Sequence, residues 1–253
     1  MADPVIEFDW LELPRRRLKN DKNNLIVVVG ETGSGKSLAC LDAAFKLDAH
    51  FSIDHVHFTI ADFIADVRDI IQADEDGRQV CRTLVLDEAA VDFDARKAMS
   101  RENIMFSNLL KIFRYLNISV LFSFPNLEMF DVNGRRLMHF LIVMAGIDKV
   151  HRKSFARLFM VDSHKTFGGE PKRYFPIIDV PNLGIRFQVD PIEFDLPPAP
   201  LLRDYQAKKK AYGKKMVVDM DRILAPPSAQ AEPEAPPVEI PRPASQRRYL
   251  PRL

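Results

Sequence analysis

The stretch Leu25–Ser37, LIVVVGETGSGKS, constrains this 253-residue chain more than any other. Leu25–Val29 are five consecutive apolar residues, mostly β-branched, and predict a strand buried on both faces. Gly30, Gly33 and Gly35 follow, then Lys36-Ser37 and the run LACLDAAFKL. That run predicts a helix over 36–48, with Leu38, Leu41, Ala44, Phe45 and Leu47 available to pack on a sheet. A G-x-x-x-x-G-K-[ST] pattern between a strand and a helix folds into a nest of backbone N–H groups aimed at phosphate oxygens. Glycine lets the backbone turn that tightly, and the helix N-terminus adds partial positive charge. Gly30, Glu31, Thr32, Gly33, Ser34, Gly35, Lys36 and Ser37 are therefore the expected nucleotide contacts. Lys36 is placed to reach the β- and γ-phosphates of ATP, and Ser37 to ligate Mg²⁺. The competing reading is a chance match in a loop, and the flanking strand and helix speak against it.

The second half of such a site reads from TLVLDEAA, residues 83–90. An apolar strand ending in Asp87-Glu88 puts Asp87 where it holds Mg²⁺, usually through a water, and Glu88 where it polarises an attacking water. Acids often end strands, so the pair gains weight from its place fifty residues after Ser37, with one strand–helix unit between. Ile118–Phe124 (ISVLFSF) predicts another core strand, stopped by Pro125-Asn126, that brings Ser123 near the γ-phosphate as a sensor. Between these strands a helix is expected to start at Ser100. Arg96, Arg101, Arg114 and, in a later short helix, Arg135 are candidates to reach a neighbouring subunit's γ-phosphate. For any single one of them, ordinary surface charge is the stronger reading.

The rest of the chain supplies context. HVHFT (His55–Thr59) predicts a strand whose His55 and His57 share a face without completing a metal site at familiar spacing. ADFIADVRDIIQ predicts a helix and FLIVMAG a strand. This alternation predicts an α/β layered domain around a mainly parallel sheet. From Lys149 the pattern becomes strand-rich, in FARLFMVD, KRYFPIIDV and GIRFQVD, with Gly168-Gly169 as a hairpin turn. His151, Arg152, Lys153, Lys165, Lys172 and Arg173 make that part locally basic, either a contact for double-stranded DNA or the ordinary charge of a hairpin. After LPPAP, a helix rich in lysine is expected to lie on the surface or to reach a partner. Residues 225–253 hold eight prolines and a basic end, and predict a disordered tail, with a short motif at its end for a protein partner. The expected division is 1–24 (a basic segment whose Arg15, Arg16 and Arg17 touch phosphate or a subunit, or are solvated), 25–148 (the nucleotide-binding core), 149–195 (a β-rich appendage on the core's far edge), 196–224 (a C-terminal helix) and 225–253 (the tail).

A net charge of +1 excludes a global field that steers the chain to nucleic acid, so any DNA contact needs a local patch or an oligomer. Cys40 and Cys81 lack metal-ligand spacing and are expected in the core. With no apolar run of membrane-spanning length and no secretory signature at the start, a cytoplasmic protein is expected, in the host cell if the chain is viral and then possible in the virion.

GETGSGKS, TLVLDEAA and the arginine-bearing helix followed by NISVLFSFP resemble the additional-strand, catalytic-glutamate P-loop ATPases. Within them the chain is similar to the DNA-pumping FtsK–HerA branch and the zonular-occludens-toxin-like ATPases. Its phrases HFTIADF, LDEAAVDFDARKAMS, LLKIFRYLN and a D-Y-x-x-K-K-K helix resemble small ATP-binding proteins of archaea and their mobile elements. The resemblance spans about residues 25–215, and only the phosphate loop and the Asp87-Glu88 strand are sharp in it. It implies a RecA-like sheet with ATP at the carboxyl ends of its strands, and a homo-oligomeric ring that moves DNA. Pumping relatives commonly end the sensor strand in Thr-Gln; Ser123-Phe124 stand there in this chain. Three readings stay open: a motor that translocates or packages DNA, an ATP-dependent assembly or secretion factor acting on proteins, and a small-molecule or nucleotide kinase.

Overall fold

Strand β1 (Asn24–Val29) is buried at every position, which only the middle of a sheet covered on both faces allows. The structure, a computed structural model, describes residues 8–87, 110, 113–130, 132–167, 170–180 and 185–224. It divides into two units, Met1–Lys210 and Ala211–Leu253. The sheet belongs to the first. In chain order its elements are α1 (Glu12–Lys19), β1, α2 (Lys36–Leu47), β2 (Val56–His57), α3 (Ile60–Glu75), β3 (Thr83–Leu86), β4 (Ser119–Phe124) and α4 (Val132–Leu137). The second half supplies β5 (Phe140–Asp148), β6 (Lys153–Phe167), β7 (Glu170–Tyr174), β8 (Ile177–Val180), β9 (Ile185–Gln188), β10 (Ile192–Phe194) and α5 (Ala199–Leu224).

Among the described residues the main sheet has eight strands in the order β10-β6-β5-β1-β4-β3-β2, with β7 paired to β6. β2, β3, β4, β1 and β5 all run parallel. The expected mainly parallel α/β sheet is therefore present. One strand, β4, lies between the phosphate-loop strand β1 and the acid strand β3. Val28 pairs with Ser123 and Leu86 with Phe122, so Asp87, the residue after β3, comes level with Ser123 and Val28. From the segment 149–195, β6, β7 and β10 lengthen the same sheet in antiparallel fashion, while β8 and β9 pair separately. KRYFPIIDV is divided between β7 and β8 at Phe175-Pro176, because proline has no N–H for a ladder.

The core on one face is rich in phenylalanine. Phe122, Phe124 and Phe130 have ring centroids 5.0 to 6.4 Å apart, and Phe63 meets Phe113 edge-on at 5.8 Å. Burying such side chains stabilises by roughly 1.5–3 kcal/mol each. Cys40 and Cys81 are both free and buried. α2 departs from its predicted packing: Ala39 to Ala44 are buried, whereas Phe45 is exposed. Leu41, one turn earlier on the same side of the helix, is fully buried, so the cover over α2 ends before Phe45. Buried Asp42 pairs with Lys46 at 2.8 Å, and Lys46 reaches Asp195 at 2.7 Å, tying α2 to the end of β10. At the other end of β1, Asn24 Nδ2 donates to Pro14 O at 3.0 Å and Ser119 Oγ at 2.9 Å, which fastens α1 and β4. His139 Nδ1 accepts the Leu25 N–H at 3.0 Å. Burial, then the charge of Arg17, lowers that imidazole to about 3, so it stays neutral in this acceptor role.

Candidate functional site: the phosphate loop and Asp87

Gly30 to Gly35 cross from β1 to α2 along a path that needs glycine at two points. Gly35 has φ +93°, and a Cβ there would meet Ser154 Oγ at 2.8 Å. At Gly30 a Cβ would meet Ser34 Oγ at 2.7 Å and Met144 Cβ at 2.9 Å. A turn within the loop is closed by Ser34 N–H donating to Glu31 O at 3.1 Å, and α2 starts with Ala39 N–H donating to Gly35 O at 2.9 Å. Lys36 Nζ donates to Gly30 O and Glu31 O, both at 2.8 Å, so the lysine lies along the loop it is expected to serve.

Asp87 follows β3 directly and is fully buried. Its N–H donates to His57 O at 2.9 Å, which continues the β2–β3 ladder and fixes the backbone. Ser37 Oγ donates to Asp87 Oδ1 at 2.9 Å, and Ser123 Oγ donates to the same oxygen. The interposed strand explains the second bond: β4 stands between β1 and β3, so the hydroxyl near its tip falls between loop and acid. Three sequence-predicted residues from three elements thus meet at one carboxylate. Glu88 lies outside the described residues, as do Arg96, Arg101, Gly168-Gly169 and the tail 225–253. Arg135 is engaged away from the loop, its Nη1 donating to Glu170 Oε1 at 2.6 Å.

A cleft of about 440 Å³ opens over this set, lined by Thr32, Lys36, Ser37 and Ser123 from the predicted site. That size falls within the usual range for small-molecule sites. Two further lining residues, Tyr205 and Lys209, come from α5. The expectation that this helix lies on the surface or reaches a partner is corrected here for its first turns. Leu201 and Tyr205 are buried, Tyr205 only 5% exposed. The Tyr205 hydroxyl donates to Asp87 Oδ2 at 2.5 Å. The lysines dominate the composition, but Leu201, Tyr205 and Lys209 recur every four residues and make one stripe. That spacing, in the D-Y-x-x-K-K-K phrase, was the available signal. Burial, and then the charge of Asp87, raises the Tyr205 hydroxyl's pKa, so it remains a donor. Burial and Asp87 likewise raise the nearby Cys40 thiol, which leaves it a neutral core group.

Ser37 and Asp87 fit Mg²⁺ by chemistry. A hydroxyl and a carboxylate oxygen 2.9 Å apart are hard donors, and Mg²⁺ in phosphate sites is held by one or two such groups with the phosphates and waters. Among the described residues no group of three or more His, Cys, Asp or Glu is arranged to hold a metal. His55 and His57 instead share Asp66, at 3.0 and 2.8 Å. Burial opposes ionisation of Asp66, but these two hydrogen bonds outweigh it and hold the carboxyl at about 2. His55 sits in a 3-10 turn and only Val56–His57 form strand, so the predicted strand is shorter than expected.

The basic residues after Lys149 are largely paired. His151, Lys153, Lys165 and Arg173 each meet a carboxylate, at 2.6, 2.6, 3.4 and 3.7 Å. Arg15 and Arg17 are also engaged within the chain, with Asp9 and with Asn23 O. Among the described residues no helix is long and apolar enough to cross a membrane.

In sequence, no family model and no curated protein matches the chain. Solved structures do resemble it. The N-terminal domain of zonular occludens toxin from Neisseria meningitidis is 17% identical, with 60% of this chain and 94% of that one covered at a TM-score of 0.38. The genome packaging NTPase B204 from Sulfolobus turreted icosahedral virus 2, in complex with AMPPCP, is 13% identical over 62% and 99%, also at 0.38. B204, the DNA-packaging ATPase from Sulfolobus Turreted Icosahedral Virus, is 16% identical over 51% and 78%, at 0.34. The α/β fold with a phosphate loop at the carboxyl ends of its strands stands on the chain's own strand order and loop geometry.

Proposed function

We propose that this chain is an ATP-hydrolysing P-loop motor that translocates or packages double-stranded DNA for a mobile element or virus, working as a homo-oligomeric ring in the cytoplasm. The observation that carries the ATPase part is the meeting of Ser37 and Ser123 on Asp87 beneath the glycine loop. A binding loop alone would not need an acid at the tip of an internal strand. The Asp87-Glu88 pair at the tip of β3, a strand flanked by β4 and β2, favours a hydrolase over a kinase. The loop amides and Lys36 bind and orient the phosphates of ATP, and Lys36 offsets their charge. Mg²⁺ held at Ser37 and Asp87 would supply charge neutralisation on the terminal phosphates. Ser123 orients the Asp87 carboxylate, and Glu88 takes the proton of the attacking water.

The DNA part rests on the resemblance of the sequence to the FtsK–HerA and zonular-occludens-toxin-like ATPases. A second reading, an assembly or secretion factor acting on proteins, is favoured by the net charge of +1 and by Phe124 where pumping relatives carry glutamine. ATP turnover with and without double-stranded DNA, run beside a mass determination of the assembly, separates them. The motor gives turnover that rises with DNA and a mass of several subunits; the assembly factor gives slow turnover indifferent to DNA.

A further inference from the structure

Asp87 receives two partners that the phosphate-loop mechanism does not use, and both come from α5. Tyr205 donates to Asp87 Oδ2 at 2.5 Å, and Lys209 Nζ donates to the Tyr205 hydroxyl at 3.1 Å while lying 3.5 Å from Asp87 Oδ2. The two residues are one helical turn apart and so face the same way. The Lys209 ammonium also stands 5.6 Å from the Tyr205 ring centroid, within reach of its face. Neighbouring contacts pin this part of the helix: Leu201 is buried, the Tyr205 and Phe58 rings pack at 6.2 Å, and Lys208 Nζ donates to Ile53 O at 2.9 Å. Tyr205 and Lys209 line the same cleft as Thr32, Lys36 and Ser37.

We propose that Lys209, positioned by Tyr205, is a second cation of the polyphosphate site, supplied in cis by the C-terminal helix. The proposal rests on the ATP reading above. Lys36 and the loop amides serve the loop side of the cleft, whereas Lys209 stands on the Asp87 side. A cation there meets the end of the polyphosphate, where the charge of the transferred group must be matched, and phosphoryl-transfer sites take such a cation from their own chain or from a neighbour. Lysine suits the task because a flexible stem lets its ammonium move by a few ångströms, while Tyr205 stays fixed by burial. Lys209 is about one-third exposed, so the ammonium has room to leave the carboxylate for a phosphate oxygen.

The test is equilibrium binding of ATP, represented by a non-hydrolysable β,γ-methylene analogue, and of ADP, each with Mg²⁺, to the full chain by titration calorimetry. Wild type, Lys36→Ala, Lys209→Met, Lys209→Arg and Tyr205→Phe are compared. Lys209→Met is expected to weaken ATP on the order of tenfold and ADP by less than about threefold, the loss of one charge-assisted contact. Lys209→Arg keeps the wild-type ratio of the two affinities, and Tyr205→Phe falls between. Equal weakening of ATP and ADP assigns Lys209 a structural part only and overturns the proposal, as does an unchanged ATP affinity. Tighter ATP binding by Lys209→Met also overturns it, because the ammonium then only competes with the metal for Asp87. The ATP reading itself fails in a different way, with wild type binding no better than Lys36→Ala.

Discussion

The two walls of the cleft are built on opposite plans. The loop wall is eight consecutive residues, Gly30–Ser37, shaped by backbone conformation and by the space that Gly30 and Gly35 leave open. The helix wall is made of side chains, Tyr205 and Lys209, that come to Asp87 from well over a hundred residues away in sequence. A backbone nest tolerates little change but reads directly from a motif. A side-chain wall is adaptable, and only the fold brings it into place. The difference teaches that the loop carries its chemistry in consecutive residues, while the helix adds side chains that only the fold brings to the same carboxylate.

That contrast can be broken or sharpened in order of expected effect. Glu88→Gln should lower ATP turnover by roughly 10²–10⁴ with binding retained, since it removes only the proton acceptor. Unchanged turnover would remove Glu88 from the mechanism. Lys36→Ala should cost roughly 10²–10³ in turnover, far beyond any change on the helix wall. Equal losses for Lys36→Ala and Lys209→Met would erase the distinction between the walls.

A third prediction concerns the sheet floor that both walls stand on. His139 stays neutral in the fold down to about 3, against 6.5 for the free side chain. The unfolded chain therefore binds the extra proton between those values, and stability is full above about pH 6.5. It should fall as pH drops through that window, by at most about 1.4 kcal/mol per pH unit. Thermal midpoints of wild type and His139→Gln across pH 4–7 check this, and the variant should show the shallower acid limb. Parallel limbs would contradict it.

Gly35→Ala should cost roughly 1–3 kcal/mol of stability, read as a lower unfolding midpoint, because φ of +93° and the nearby Ser154 hydroxyl both oppose a Cβ. The smallest effect expected is from Tyr205→Phe, about 1 kcal/mol, since Ser37 and Ser123 still satisfy the carboxylate's other oxygen. No loss at all would mean that the helix wall is not held through Asp87.

Much of this was legible in the sequence wherever a residue's role is set by its near neighbours in the chain. Leu25–Val29 and Leu84–Leu86 read as parts of buried strands because each run is apolar along its length, and both lie buried in β1 and β3. Ser123 read as a site residue because an apolar strand was seen to end near it, and the register of β4 against β1 and β3 brings it to Asp87. Phe45 was misplaced because helical periodicity says which residues share a face, not how far along the helix that face stays covered. Asp66 was missed as the partner of His55 and His57 because it sits on a helix that crosses over the strand. Tyr205 and Lys209 were hidden by composition: a lysine-rich helix reads as solvated, and one stripe of three residues decides otherwise.

The central claim is that the loop and Asp87 form one ATP-hydrolysing site. Single-turnover hydrolysis of ATP by the purified full chain with Mg²⁺, set beside Asp87→Asn and Lys36→Ala, tests it most directly. The account predicts hydrolysis by wild type that falls by roughly 10² or more in either variant. Hydrolysis of the same rate in all three proteins, or in none, would contradict it.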